Sequence, residues 1–253
     1  MIPIIVNYNH SSMHPIIQIS SSPVELASSL AEELSQSIKT TAEKNKTFTL
    51  TLSGGNTPAL LFSILAEYYR TSIPWKNVHL FWGDERCVPP YHTDSNYGMT
   101  KLHLLDKVSI PAVNIHRIHG EDDPIKETER YAHEISKYTD KVNNIPSFDY
   151  ILLGLGTDGH TASIFPGYMD LFQSQKICEL TLQPQTRQKR ITLTGPVINN
   201  ARQLAFLVTG KSKASVVADI INKTEAGPYP AACVALTHGK LKWYLDSDAS
   251  ALL

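Results

Sequence analysis

Apolar, β-rich runs alternate with helical patterns along this sequence, and that alternation limits the fold more than any other feature. Ser22-Pro23 reads as a helix N-cap followed by proline at the first helical position. Behind it Ala27, Leu30, Ala31, Leu34 and Ile38 recur at helical spacing. Thr47 to Leu52 is rich in β-formers and reads as a strand. After Ser53-Gly54-Gly55-Asn56, a second helix is expected from a Thr57-Pro58 cap to near Tyr69. Val78 to Trp82, Tyr150 to Leu153, Ile191 to Leu193, Leu204 to Val208 and Leu241 to Leu245 read as further strands. Asn96 to Leu104, Lys126 to Tyr138 and Ser212 to Ile221 read as helices. Strand, loop and helix in repetition predict an α/β fold with a mostly parallel sheet. With no internal repeat and no linker, residues 1–253 are read as a single domain.

Charge narrows the range of partners. Lys plus Arg total 23 against 24 Asp plus Glu, a net charge of -1. That balance gives no bulk electrostatic grip on nucleic acid or anionic lipid, yet allows a local basic pocket for a small anion. Cys87, Cys178 and Cys233 are odd in number and widely spaced, which fits neither a zinc pattern nor a disulfide framework. A reducing, cytoplasmic setting is expected. The apolar run Ile2 to Val6 is too short for a signal-peptide core. No apolar stretch approaches the roughly 18 residues of a membrane span.

In a parallel α/β sheet, ligands bind beyond the carboxyl ends of the strands, so the residues after each strand carry the chemistry. Ser53-Gly54-Gly55-Asn56 runs from a strand into a helix start, where free N–H groups and the helix dipole suit a phosphate. A plain tight turn is the simpler reading of the same residues. The segment is neither a Walker loop nor a dinucleotide fingerprint. Asp84-Glu85-Arg86 follows the next strand. If the backbone stays extended, the two carboxylates face apart, and Arg86 is free to grip phosphate or to fix the loop by pairing with Asp84. Asp94-Ser95-Asn96 reads as a helix cap.

The richest segment runs from Gly154 to Gly167 and holds Gly154, Gly156, Asp158, Gly159 and His160 within seven residues. An aspartate beside a histidine orients the imidazole, the side chain best suited to proton transfer near neutral pH. Its position lifts His160 above the other nine of ten histidines. Lys211 and Lys213 follow the Leu204 to Val208 strand, either as phosphate ligands or as solvated surface charges. Gly-x-Ser-x-Gly and Cys-x-x-Cys are missing, so the expected reaction needs only a histidine and water, as an activated ester does. No cofactor and no metal are expected.

Ser53-Gly54-Gly55-Asn56-Thr57-Pro58, Trp82-Gly83-Asp84-Glu85-Arg86, Asp94-Ser95-Asn96, Gly154 to Gly167 and Thr209-Gly210-x-x-Lys213-Ala214 occur together and in order. As a set they resemble the 6-phosphogluconolactonase family, grouped with glucosamine-6-phosphate isomerases. The resemblance implies a Rossmann-like three-layer fold similar to glucosamine-6-phosphate deaminase. It also implies hydrolysis of 6-phosphogluconolactone in the oxidative pentose phosphate pathway. The deaminase has a similar glycine-histidine segment but carries a glutamate five residues after the histidine, where this chain has Phe165.

What the resemblance implies for the site is specific. His160 is the expected general base, with Asp158 the first choice as its orienting partner and Asp84 the second. Ser53, Gly54, Gly55, Asn56, Arg86 and Lys213 are expected to hold the phosphate. Backbone N–H groups around Gly159, or Arg86, are expected to hold the oxyanion. The expected partner is the small substrate alone, acting on a monomer or weak homo-oligomer. The other readings are a deaminase- or isomerase-type enzyme and a non-catalytic sugar-phosphate binder.

Overall fold

The computed structural model describes residues 16–222 and 229–253; the Ile2 to Val6 run lies outside them. Strand β1 (Ile16–Ser20) leads into helix α1 (Pro23–Glu43). Ser22 accepts the Glu25 N–H at 3.3 Å as N-cap, and the Glu25 carboxylate reaches back to the Ser21 N–H at 2.7 Å. A cap of this kind contributes about 0.5–2 kcal/mol to the helix. The helical spacing seen in the sequence buries Leu26, Ala27, Leu30, Ala31, Leu34 and Ile38 on one face.

Strand β2 (Phe48–Leu52) is buried at every position and runs into helix α2 (Asn56–Tyr68). The cap of α2 is Gly55, with no side-chain bond, rather than the expected Thr57. Strand β3 (Val78–Trp82) follows, and at Gly83 the chain leaves its sheet for the short strand β4 (Asp84–Arg86). Helix α3 (Asn96–Thr100) passes into a π-helical turn at Lys101–Leu105, so the expected Asn96 to Leu104 helix is split. Strand β5 (Ile115–His116) precedes helix α4 (Pro124–Tyr138). Strands β6 (Asp140–Val142) and β7 (Ile145–Ser147) form a small antiparallel pair ahead of β8 (Tyr150–Leu153).

The chain continues through β9 (Cys178–Leu182), β10 (Lys189–Leu193), helix α5 (Gly195–Ile198), β11 (Gln203–Val208), helix α6 (Ala214–Ile221) and β12 (Lys240–Asp246).

Seven strands form the central sheet in the order β1-β12-β11-β8-β2-β3-β5, and every neighbouring pair is parallel. The expected α/β architecture is therefore present. The fully buried strand β8 reads as a continuous apolar run because a parallel sheet is covered on both faces. One correction concerns Ile191 to Leu193. It belongs to a second sheet, antiparallel and ordered β4-β10-β9, and not to the parallel sheet. Tyr131 of α4 ties the layers together: its hydroxyl donates to the Trp82 carbonyl and accepts the Trp82 N–H, both at 2.8 Å.

Candidate active site

The loop after β8 is built around His160. The Gly156 N–H donates to the His160 carbonyl at 2.8 Å, and His160 Nδ1 lies 2.5 Å from Asp158 Oδ1. A Cβ on Gly156 would sit 2.1 Å from His160 Nδ1 and 2.5 Å from Asp158 Oδ1, so only glycine lets the two side chains meet there. Burial opposes ionisation of Asp158, but the charge and hydrogen bonds of His160 outweigh it and hold the carboxyl below its ordinary range. A carboxylate only accepts hydrogen bonds, so Nδ1 carries a proton, and in the neutral imidazole this tautomer leaves the lone pair on Nε2. Nε2 has no hydrogen-bond partner among the described residues.

Strand β4 turns its two carboxylates apart, as expected for extended backbone. Glu85 is 2 % exposed and accepts four bonds: from the N–H groups of Arg86, Asn96 and Tyr97 and from the Ser95 hydroxyl. Burial pushes its carboxyl above the ordinary range against the pull of those N–H groups. Its task is to fix the first turn of α3. Asp84 faces the other way, accepting the Ser163 hydroxyl at 2.6 Å and lying 4.0 Å from Arg190 Nη1. Neither Asp84 oxygen bonds to His160, so Asp158, the first choice, is the carboxylate that holds the imidazole. Nor does Asp84 pair with Arg86, whose Nη1 donates to the Asp94 carbonyl.

The turn after β2 supplies Ser53 and Gly54 to the same cleft. A Cβ on Gly54 would fall 1.8 Å from Asn96 Oδ1, which makes room for Asn96 against the turn a functional use of that glycine. Asn96 Nδ2 in turn donates to the Asp84 carbonyl at 2.9 Å. The Ser95 cap was legible in the sequence; the buried amide beside it was not. Gly55 and Asn56 sit exposed at the start of α2, beside the cleft and not in its wall. Thr57 and Thr209 join hydroxyls at 2.8 Å, tying this turn to the one that carries Lys213. Lys213 is half-buried outside the wall; burial lowers its pKa and the Asp158 carboxylate opposes that.

Gly159 departs from expectation. Its N–H already donates to the Gly156 carbonyl at 3.1 Å, and the His160 N–H is turned to Asp158 at 3.2 Å. These groups are therefore spent within the loop and are not free for an oxyanion. Arg190, for which nothing local in the sequence spoke, does line the cleft. It comes from β10, where it lies directly opposite Arg86. Burial lowers its pKa, Asp84 opposes that and Arg86 adds to it. Arg202, the other arginine without a local signal, pairs instead with Asp140 and Asp149 away from the cleft.

The cleft has a volume of about 130 Å³ and is partly open to solvent. Its polar side-chain groups are two guanidiniums, one imidazole, one buried carboxylate, one amide and one hydroxyl, a set suited to an anionic, oxygen-rich molecule. Among the described residues the one group of histidine and carboxylates close enough to share a metal ion is His119, Asp122 and Glu127. There Arg130 and the His119 N–H already occupy the Glu127 oxygens.

The profile of the family described as glucosamine-6-phosphate isomerases/6-phosphogluconolactonase matches residues 21–243. The chain belongs to that family. Among the members similar to it, the 6-phosphogluconolactonase of Haemophilus influenzae is 41% identical over 226 residues, which covers 88% of this chain and 94% of that protein. A solved 6-phosphogluconolactonase from Trypanosoma brucei superposes with a TM-score of 0.86 at 27% identity, covering 96% of this chain and 100% of that one. A monomeric glucosamine-6-phosphate deaminase shares the fold, with a TM-score of 0.78 at 19% identity, covering 94% of this chain and 100% of that one. In this family member the residue five places after His160 is Phe165, 1 % exposed and 4.8 Å ring to ring from the imidazole.

Proposed function

We propose that the chain hydrolyses 6-phospho-D-glucono-1,5-lactone to 6-phospho-D-gluconate, the second step of the oxidative pentose phosphate pathway, with His160 as general base and without a metal. One observation carries the reading: an imidazole held through Nδ1 by Asp158, its Nε2 without a partner among the described residues, lines a cleft walled by two guanidiniums. His160 takes a proton from a water attacking C1 and delivers it to the ring oxygen as the ring opens. The turn Ser53 to Asn56, Arg86 and Lys213 hold the 6-phosphate; each charge-assisted contact is worth about 1.5–3 kcal/mol and is lost to a lactone without phosphate. Arg86 and Arg190 repel a divalent cation, which favours the metal-free scheme.

Phe165 favours the lactonase over the deaminase, because a phenyl ring cannot shuttle a proton. Three unpaired cysteines, whose thiols burial pushes up, fit a reducing cytoplasmic setting. The deciding assay uses freshly generated 6-phosphogluconolactone, with spontaneous hydrolysis subtracted and chelator present. Turnover above the spontaneous rate is expected. Ammonia release from glucosamine 6-phosphate, or activity lost to the chelator, would overturn the proposal.

A further inference from the structure

The mechanism above leaves one guanidinium without a task. Arg190 and Arg86 are direct partners across the β4–β10 ladder. Like charges directly opposite on an antiparallel pair destabilise it, so this placement needs a compensating anion. Asp84 supplies only part of it, at 4.0 Å from Arg190. The Nε atoms of both arginines are buried and have no hydrogen-bond partner among the described residues. A guanidinium carries five N–H donors, and the Arg190 side chain has one hydrogen bond, to Gln188 at 3.4 Å.

The two guanidiniums have different neighbours. Arg190 lies 5.7 Å from the centroid of the Phe165 ring, and the His160 ring lies 4.8 Å from the same centroid. Arg190 and the imidazole thus share one buried phenyl as a neighbour. Ser163, three residues after His160, donates to the same Asp84 carboxylate that faces Arg190. Arg86 donates directly to the Asp94 carbonyl, whereas Arg190 reaches Asp94 only through Gln188, which donates to the Asp94 carboxylate at 3.0 Å.

We infer that Arg190 is a catalytic residue, whose guanidinium holds the oxyanion formed on the lactone carbonyl, while Arg86 is left to the phosphate. The inference rests on the lactonase reading. As water attacks, the new C1–O bond forms, the carbonyl π pair moves onto its oxygen beside Arg190, and the water proton passes to His160 Nε2. As the carbonyl re-forms, the bond from C1 to the ring oxygen breaks and that oxygen takes the proton from His160. One water is consumed and nothing is oxidised. With the loop N–H groups of Gly159 and His160 already engaged, Arg190 is a cleft donor with unmatched N–H groups that shares the Phe165 ring with the imidazole.

The test compares Arg190→Met, Arg190→Lys and Arg86→Met with wild type by lactone kinetics and by calorimetric binding of 6-phosphogluconate. Arg190→Met is expected to lose roughly 10²–10³-fold in kcat while KM and product affinity stay within about threefold. Arg86→Met is expected to show the reverse, with KM and product affinity weakened by about tenfold or more and the smaller change in kcat. Arg190→Lys keeps the charge and loses the fork, so it serves if the Met variant fails to fold; it must lose kcat by about tenfold or more with product affinity kept. An Arg190 variant that weakens product binding while kcat stays within about threefold overturns the inference, as does one with no effect on either. If wild type itself is no faster than spontaneous hydrolysis, the lactonase reading fails instead.

Discussion

The molecule contains two histidine–carboxylate contacts of nearly equal length in opposite surroundings. His160 meets Asp158 at 2.5 Å on a glycine-rich loop, with side chains 30% and 41% exposed. His116 meets Glu134 at 2.7 Å between β5 and α4, with side chains 2% and 26% exposed. Beyond the carboxylate the two part company. Nε2 of His160 has no partner among the described residues, whereas Nε2 of His116 is bonded to His79 Nδ1 at 2.9 Å. His116 is also stacked on His79 and on Phe81 and packed against Tyr138. A carboxylate on Nδ1 fixes a tautomer in both places; what separates a base from a strut is the state of the other nitrogen.

Breaking the first pair gives the largest effect. His160→Ala is expected to lower kcat by roughly 10²–10⁴-fold, with thermal stability little changed, in the corrected lactone assay. A turnover near wild type would remove His160 from the role of base. His116→Ala is expected to do the opposite, costing about 2–4 kcal/mol of unfolding free energy through the lost stack and two hydrogen bonds, with kcat of the folded protein unaltered. Urea titration beside the lactone assay separates the two. Asp158→Asn, which can present an N–H to Nδ1 and so favour the wrong tautomer, is expected to cost roughly 10–10²-fold in kcat with KM kept, since its partly exposed site is milder than a buried triad.

Acid sharpens the comparison at the smallest scale. Burial lowers the pKa of both His79 and His116; His116 adds to the shift at His79, while at His116 Glu134 works against the shift and Lys137 and Arg130 reinforce it. The folded protein therefore binds fewer protons here than the unfolded chain. Their contribution to stability is complete above about pH 6.5 and is lost as pH falls through the lowered values. The melting temperature should drop over that range by about 2–4 °C per kcal/mol of linkage, and less steeply in His79→Phe. Asp158, held low by His160, acts in a lower window: its contribution is present above about pH 3.9 and fails below it.

Most of the central sheet was legible because parallel strands are buried on both faces and announce themselves as apolar runs: β3 and β8 fall where the sequence puts them. Strands β4 and β5, of three and two residues, are too short for any periodicity. The His160 loop was legible since its chemistry is local: glycine, aspartate and histidine lie within seven residues. Arg190 was not, because its place depends on the β4–β10 register, which joins residues about a hundred positions apart. Asn96 was hidden behind a correct reading of its neighbour, since the cap explained Ser95 and left no sign that the next amide would lie against Gly54.

The order of strands also carries a consequence for synthesis. β12 lies between β1 and β11, and β1 has no other partner in the sheet. At about 5–20 residues per second, a ribosome needs roughly ten to forty-five seconds to pass from the first of these strands to the last. During that interval Ile16, Ile17 and Ile19 wait without a ladder, and the nascent chain has an open sheet edge that only its own late residues can close.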